Sequence, residues 1–285
     1  MTGWSMVRVL AVSLMAAVAL TLVPAQVPAQ VPAHVPAQTG EAGRPAAELG
    51  AVPPPVVDPC EVPGYLLFGD SRLDHVNKSV SQNKRLTILV LGSASSLMPG
   101  PDGVTKAYPS RLEEALRRRF PDVEVKVIAL AKARQTAADM AQSVEKVLLE
   151  RKPDLVIWQT GTVDAMRGVD PESFRAALDD GIDHILEGDA DLILMNMQYS
   201  PRTETLIALT NYDDIMRVVA RDRDVPLFDR REIMRYWNDN GNFDLNLATK
   251  DVATAYQVHD CLGRALASLV VEAAGLDSAK QRPTQ

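Results

Sequence analysis

Short apolar runs alternating with amphipathic stretches constrain this chain more than any other feature. Leu86-Thr-Ile-Leu-Val-Leu91 is apolar except for Thr87, as a strand buried on both faces requires. Ser110 and Glu113 have the spacing of a capping box for a helix running to Arg119. Further strands are predicted at 123–130, 154–160, 191–197 and 225–228, the last one short. Between them, helices are predicted at 136–151, from Asp170-Pro171 onward, and over 212–221, with helical segments to the end. Strand–helix alternation of this length predicts an α/β fold, a three-layer αβα sandwich around a parallel five-stranded sheet. Ligands and chemistry in such folds gather at the carboxyl ends of the strands.

The folded part is expected at 59–275. Ahead of it, Arg8 precedes an uncharged apolar run from Val9 to Val23, too short to span a bilayer comfortably, and Val23-Pro24-Ala25 offers a cleavage point. Residues 1–25 therefore read as a signal peptide, which implies a periplasmic or secreted protein. An uncleaved signal anchoring the chain in the inner membrane is the alternative. The tetrapeptide repeat Val23-Pro-Ala-Gln26 to Val35-Pro-Ala-Gln38 has proline at every fourth position, so 26–58 reads as an extended spacer, and 276–285 as a flexible tail. Lys and Arg number 30 against 37 Asp and Glu, which leaves no basic excess for a nucleic-acid partner. The 2 cysteines and 4 histidines provide no metal-ligand cluster, and no Gly-rich loop for a cofactor phosphate follows a strand. Cys60 and Cys261 are predicted to form a disulfide if the protein is exported, the alternative being two buried thiols.

Three blocks at the strand ends are specific in combination: Gly92-Ser93-Ala94-Ser95-Ser96, Tyr108-Pro109-Ser110-Arg111-Leu112-Glu113, and Pro153-Asp154-Leu155-Val156-Ile157-Trp158-Gln159-Thr160-Gly161-Thr162. With them the chain resembles the SGNH/GDSL hydrolase superfamily, in particular its exported bacterial members, over about Cys60 to Ala274. The resemblance implies a flavodoxin-like sheet and a serine esterase site. It also implies where that site is broken. The nucleophile position is Ala94, the oxyanion glycine position Ala131 and the oxyanion asparagine position Val163. The position of the histidine base is Thr254, or Ala253 if the block is anchored on Cys261. Ala94 offers no attacking oxygen, Val163 no side-chain donor, and Thr254 no base near neutral pH. Losing one oxyanion donor alone costs on the order of 10²–10³ in rate. A degenerate member that binds an envelope ligand, a polysaccharide or acyl-carbohydrate, is the expectation.

Fallback residues keep two other readings open. Ser95 as nucleophile with His259 as base and Asp164 beside them would give an active esterase or acetyl-transferring hydrolase. A structural scaffold without ligand is the third reading. Gly69-Asp70-Ser71 spells the family's other first block, but the polar stretch 72–83 behind it suggests that Asp70 or Ser71 caps a short helix. His259 shares its helical spacing with Val252, Ala255, Leu262 and Leu266, which predicts a core-facing ring. His34, His75 and His184 fall in the spacer, an early helix and the side of an apolar stripe. Asp164 reads as a solvated loop carboxylate or a helix cap. Lys132, Arg134 and Arg167 follow the second and third strands and are the candidates for holding an acidic ligand.

Overall fold

The computed structural model describes residues 58–246 and 252–276. The expected signal, nearly all of the spacer, the tail beyond residue 276 and Asp251 lie outside the described residues. Strands β1 (Arg85–Gly92), β2 (Glu124–Ala131), β3 (Leu155–Gln159), β4 (Asp191–Met195) and β5 (Leu227–Phe228) form one parallel sheet in the order β2-β1-β3-β4-β5. The α-helices are α1 (Asp74–Lys78), α2 (Gly103–Lys106), α3 (Tyr108–Arg119), α4 (Ala137–Arg151) and α5 (Thr162–Arg167), then α6 (Pro171–Glu187), α7 (Pro201–Leu206), α8 (Thr210–Asp222), α9 (Arg230–Asp239) and α10 (Val252–Ala273). The expected three-layer α/β sandwich is present.

The two-residue period of β1 divides the core between the two faces. Leu86, Ile88 and Val90 pack with Leu112 of α3, Trp237 of α9 and Leu262 of α10. Leu89 and Leu91 point the other way, to Val144 of α4, Ile182 of α6 and Met216 of α8. Two local expectations are corrected. Ser110 does not cap α3: the helix opens at Tyr108 with Pro109 in its first turn, and the Ser110 hydroxyl donates to the Val104 carbonyl at 2.7 Å. Glu113 instead accepts the Val127 N–H at 2.6 Å, tying α3 to β2. The helix expected over 72–83 is only α1 followed by one π turn, Ser79–Asn83, and neither Asp70 nor Ser71 caps it.

Cys60 and Cys261 are joined by a disulfide with Cα atoms 4.9 Å apart, as expected from the sequence. Among the described residues no helix is long and apolar enough to cross a membrane.

The α10–α3 crossing depends on Gly263. A Cβ there would lie 2.5 Å from Arg111 Cβ and 2.8 Å from the Leu112 nitrogen. Overpacking such a contact costs ~1–3 kcal/mol. Gly263→Ala is therefore expected to lower the melting midpoint by roughly 2–4 °C for each kcal/mol lost. An unchanged midpoint in a thermal melt would mean that the two helices can separate without penalty.

Candidate functional site at the carboxyl edge

The turn after β1 folds against the end of β3. Gly92 permits this, because a Cβ would lie 2.3 Å from Ser96 Oγ. Gln159, the last residue of β3, is fully buried, and its Oε1 accepts the Ser93 N–H at 3.0 Å. That bond fixes which end of the amide carries oxygen. The hydroxyls of Ser93, Ser95 and Ser96 lie 3.1, 3.2 and 3.0 Å from the same oxygen, while Gln159 Nε2 is buried with no partner among the described residues. Ser96 Oγ is also 2.8 Å from the Tyr108 hydroxyl, whose pKa burial raises. Three serines are therefore used in tying the turn down.

Ala94 stands exposed at the start of this turn. Ala131 closes β2 in register with Gly92, and Val163 lies in the first turn of α5, just after β3. Since β1 lies between β2 and β3, these three positions share the carboxyl edge. Thr254 lines a cavity of about 250 Å³ together with His259 and Arg230. Arg230 in turn reaches the β1 turn, with Nη1 3.3 Å from Ser95 Oγ and Nη2 3.3 Å from the Ser95 carbonyl.

His259 is buried, as its helical spacing suggested, and its Nδ1 accepts the Tyr108 N–H at 3.0 Å. A neutral imidazole has one acceptor and one donor, so Nε2 carries the hydrogen. Burial, followed by the nearby Arg230 charge, pushes the His259 pKa down to about 3. Its one lone pair is engaged by a backbone amide, leaving none to take a proton from a serine. Among the described residues no hydrogen bond joins Ser95 to His259; the neighbour of Ser95 is a guanidinium. Asp164, read from sequence as a solvated loop carboxylate or a helix cap, is 1% exposed, which excludes the first reading, and it serves the α4 N-terminus, accepting the Ala137 N–H at 3.0 and 3.2 Å. Burial raises its pKa. The Ser95, Asp164 and His259 side chains thus form no relay.

The sequence reading missed Arg230. It is the first residue of α9, 1% exposed, and among the described residues its guanidinium has only long contacts, the two to Ser95 and one of 3.5 Å to Gln198 Oε1. Its Nε has no partner among the described residues. The Tyr108 ring lies 5.8 Å away, a cation–π distance, and burial lowers the Arg230 pKa to about 10, so the group stays charged at neutral pH. Its neighbour Arg231 is fully paired, with Nε and Nη2 on Glu204 at 2.9 and 2.6 Å and Nη1 on Asp213 at 2.9 Å. Asn196, buried at the end of β4, donates to Asp213 and Asp229, both at 2.7 Å, and accepts the Arg231 N–H at 3.0 Å. This network clamps the start of α9 and aims Arg230 at the cavity.

The other sequence candidates lie elsewhere. Lys132, Arg134 and Arg167 are all exposed and none lines the cavity; Arg167 donates to the Arg134 carbonyl at 2.9 Å. Ser71 donates to Asp224, just ahead of β5 and at the opposite end of the sheet from the β1 turn.

Solved structures share this fold. TesA matches with a TM-score of 0.52 at 20% identity, covering 64% of this chain and 99% of that one. A catalytic mutant of Axe2, an acetylxylan esterase from Geobacillus stearothermophilus, matches at 0.54 and 17%, covering 65% and 94%. Identities this low establish the fold alone. A curated relative, an arylesterase of Vibrio mimicus, is 30% identical over 117 residues, 40% of this chain and 56% of that protein. The matched stretch thus spans little more than half of the relative. A sequence model of the Non-GDSL lipase-like family matches residues 59–276, most of the chain. With its sheet order, its strand-end blocks and that match, the chain belongs to the Non-GDSL lipase-like family and carries the SGNH hydrolase fold.

Proposed function

We propose that this protein is an exported, catalytically inactive member of its family that works by binding an envelope ligand at the carboxyl edge of the sheet. Ala94 carries the reading: the position that the resemblance assigns to the nucleophile has no oxygen. The surroundings agree with it. Ser95 is held by Gln159 and Arg230, and the His259 lone pair is held by Tyr108. Export rests on the apolar run Val9 to Val23, and the Cys60–Cys261 disulfide fits an oxidising compartment.

The name of the Vibrio mimicus relative makes an aryl acetate the substrate to try. The purified protein is expected to resist labelling by a fluorophosphonate probe and to hydrolyse phenyl acetate no faster than its Ser95→Ala variant. Labelling or turnover that disappears in Ser95→Ala would replace this reading with an active esterase.

A further inference from the structure

An arginine buried without a carboxylate is a costly feature. Removing a charge from water is strongly unfavourable unless hydrogen bonds and a counter-charge compensate. Arg230 has three contacts of 3.3–3.5 Å, an unpartnered Nε and no ion pair among the described residues. It lines the 250 Å³ cavity with exposed Arg202, and no Asp or Glu belongs to the described lining, in a chain whose net charge is −7. At ~30 Å³ per water the space holds about eight waters, the size of one sugar ring. Gln198, Tyr199, Asn246, Thr254 and His259, with its hydrogen on Nε2, contribute polar groups, while Met234 and Val258 contribute apolar surface.

We propose that this cavity binds a hydroxylated carboxylate of monosaccharide size, a uronic acid or a uronate end of a glycan, with the carboxylate on the Arg230 guanidinium. The proposal rests on the binding reading above and names its ligand chemistry. A planar fork matches a carboxylate, and one buried positive charge balances one negative charge. A phosphate monoester would bring a second charge, which only the exposed Arg202 could meet. The clamp formed by Asn196, Asp213 and Arg231 acts behind Arg230 as a positioning element, so the guanidinium is set before the ligand arrives.

The test uses the purified full chain with glucuronate, glucose and glucose 6-phosphate, followed by thermal melting and calorimetric titration. Glucuronate is expected to raise the wild-type midpoint saturably, and the other two to raise it less. Arg230→Met should melt no lower than wild type without ligand, because an apolar side chain relieves a buried charge. Its glucuronate affinity should fall by ~10- to 100-fold, the loss of a hydrogen-bonded charge contact. Arg230→Lys keeps the charge without the fork and should fall in between. The inference is overturned by a wild type that ignores glucuronate, by equal binding in Arg230→Met, or by glucose 6-phosphate binding as tightly as glucuronate. An Arg230→Met variant that melts well below wild type would also overturn it, because the guanidinium would then be structural. Failure here with no fluorophosphonate labelling removes only the ligand class; labelling removes the underlying reading.

Discussion

Acidification should destabilise this protein through one imidazole, and His259→Gln should remove most of that sensitivity. In the unfolded chain the ring takes up a proton near pH 6.5; in the fold it does so only at about 3. Between those values the unfolded state binds more protons, so stability falls as pH falls, by ~1.4 kcal/mol per unit and about 4–5 kcal/mol across the window. The stability is fully present above 6.5 and lost progressively below it. Asp164, Asp191 and Asp213 act in the opposite sense, because burial raises their pKa values and protonation then favours the fold. They are common to both proteins and cancel in the comparison. Glutamine keeps an acceptor for the Tyr108 N–H but has no proton to gain. Urea midpoints measured down this window should converge for wild type and variant as the pH drops. Parallel curves would mean that the ring takes up its proton as readily in the fold as in the unfolded chain.

The second large effect concerns the bridge between Cys60 and Cys261, which closes a loop with a sequence separation of 201. A cross-link over that length limits the unfolded ensemble, worth up to about 5 kcal/mol if chain entropy alone acts. A Cys60→Ala/Cys261→Ala double variant is expected to lose a few kcal/mol in denaturant, and the wild type in reductant should follow it. The Asp58–Arg264 ion pair beside the bridge would remain, but it is exposed and contributes at most about 1 kcal/mol. A loss no larger than that would show that packing of α10 already holds the chain ends together.

How far the sequence revealed this molecule differs from residue to residue. The strands were readable because burial on both faces leaves a signature that no loop imitates, as at Leu86–Leu91. Boundaries were harder. Ser110 and Glu113 carry capping-box spacing, yet Pro109 starts the helix earlier and Glu113 turns to β2, a tertiary contact invisible in spacing. His259 was readable as a core residue because its helix has a clear period. For Asp164 the sequence left a solvated carboxylate and a helix cap both open, and Arg230 could not be read at all. A buried charge and a solvated one have the same letter, and Arg230-Arg231-Glu232 looks like an ordinary wet helix start. The usable clue was position: Arg230 comes two residues after β5, at the sheet edge where α/β folds hold ligands.

The bridge has a mechanical meaning too. It links the first described turn of the domain to the last helix, so a pull along the chain passes from Cys60 to Cys261 through a covalent bond. Tension between the two termini bypasses the sheet, the clamp at α9 and the cavity. Load applied at Cys60 and Cys261 would be carried at the edge of the fold, and the site would keep its shape.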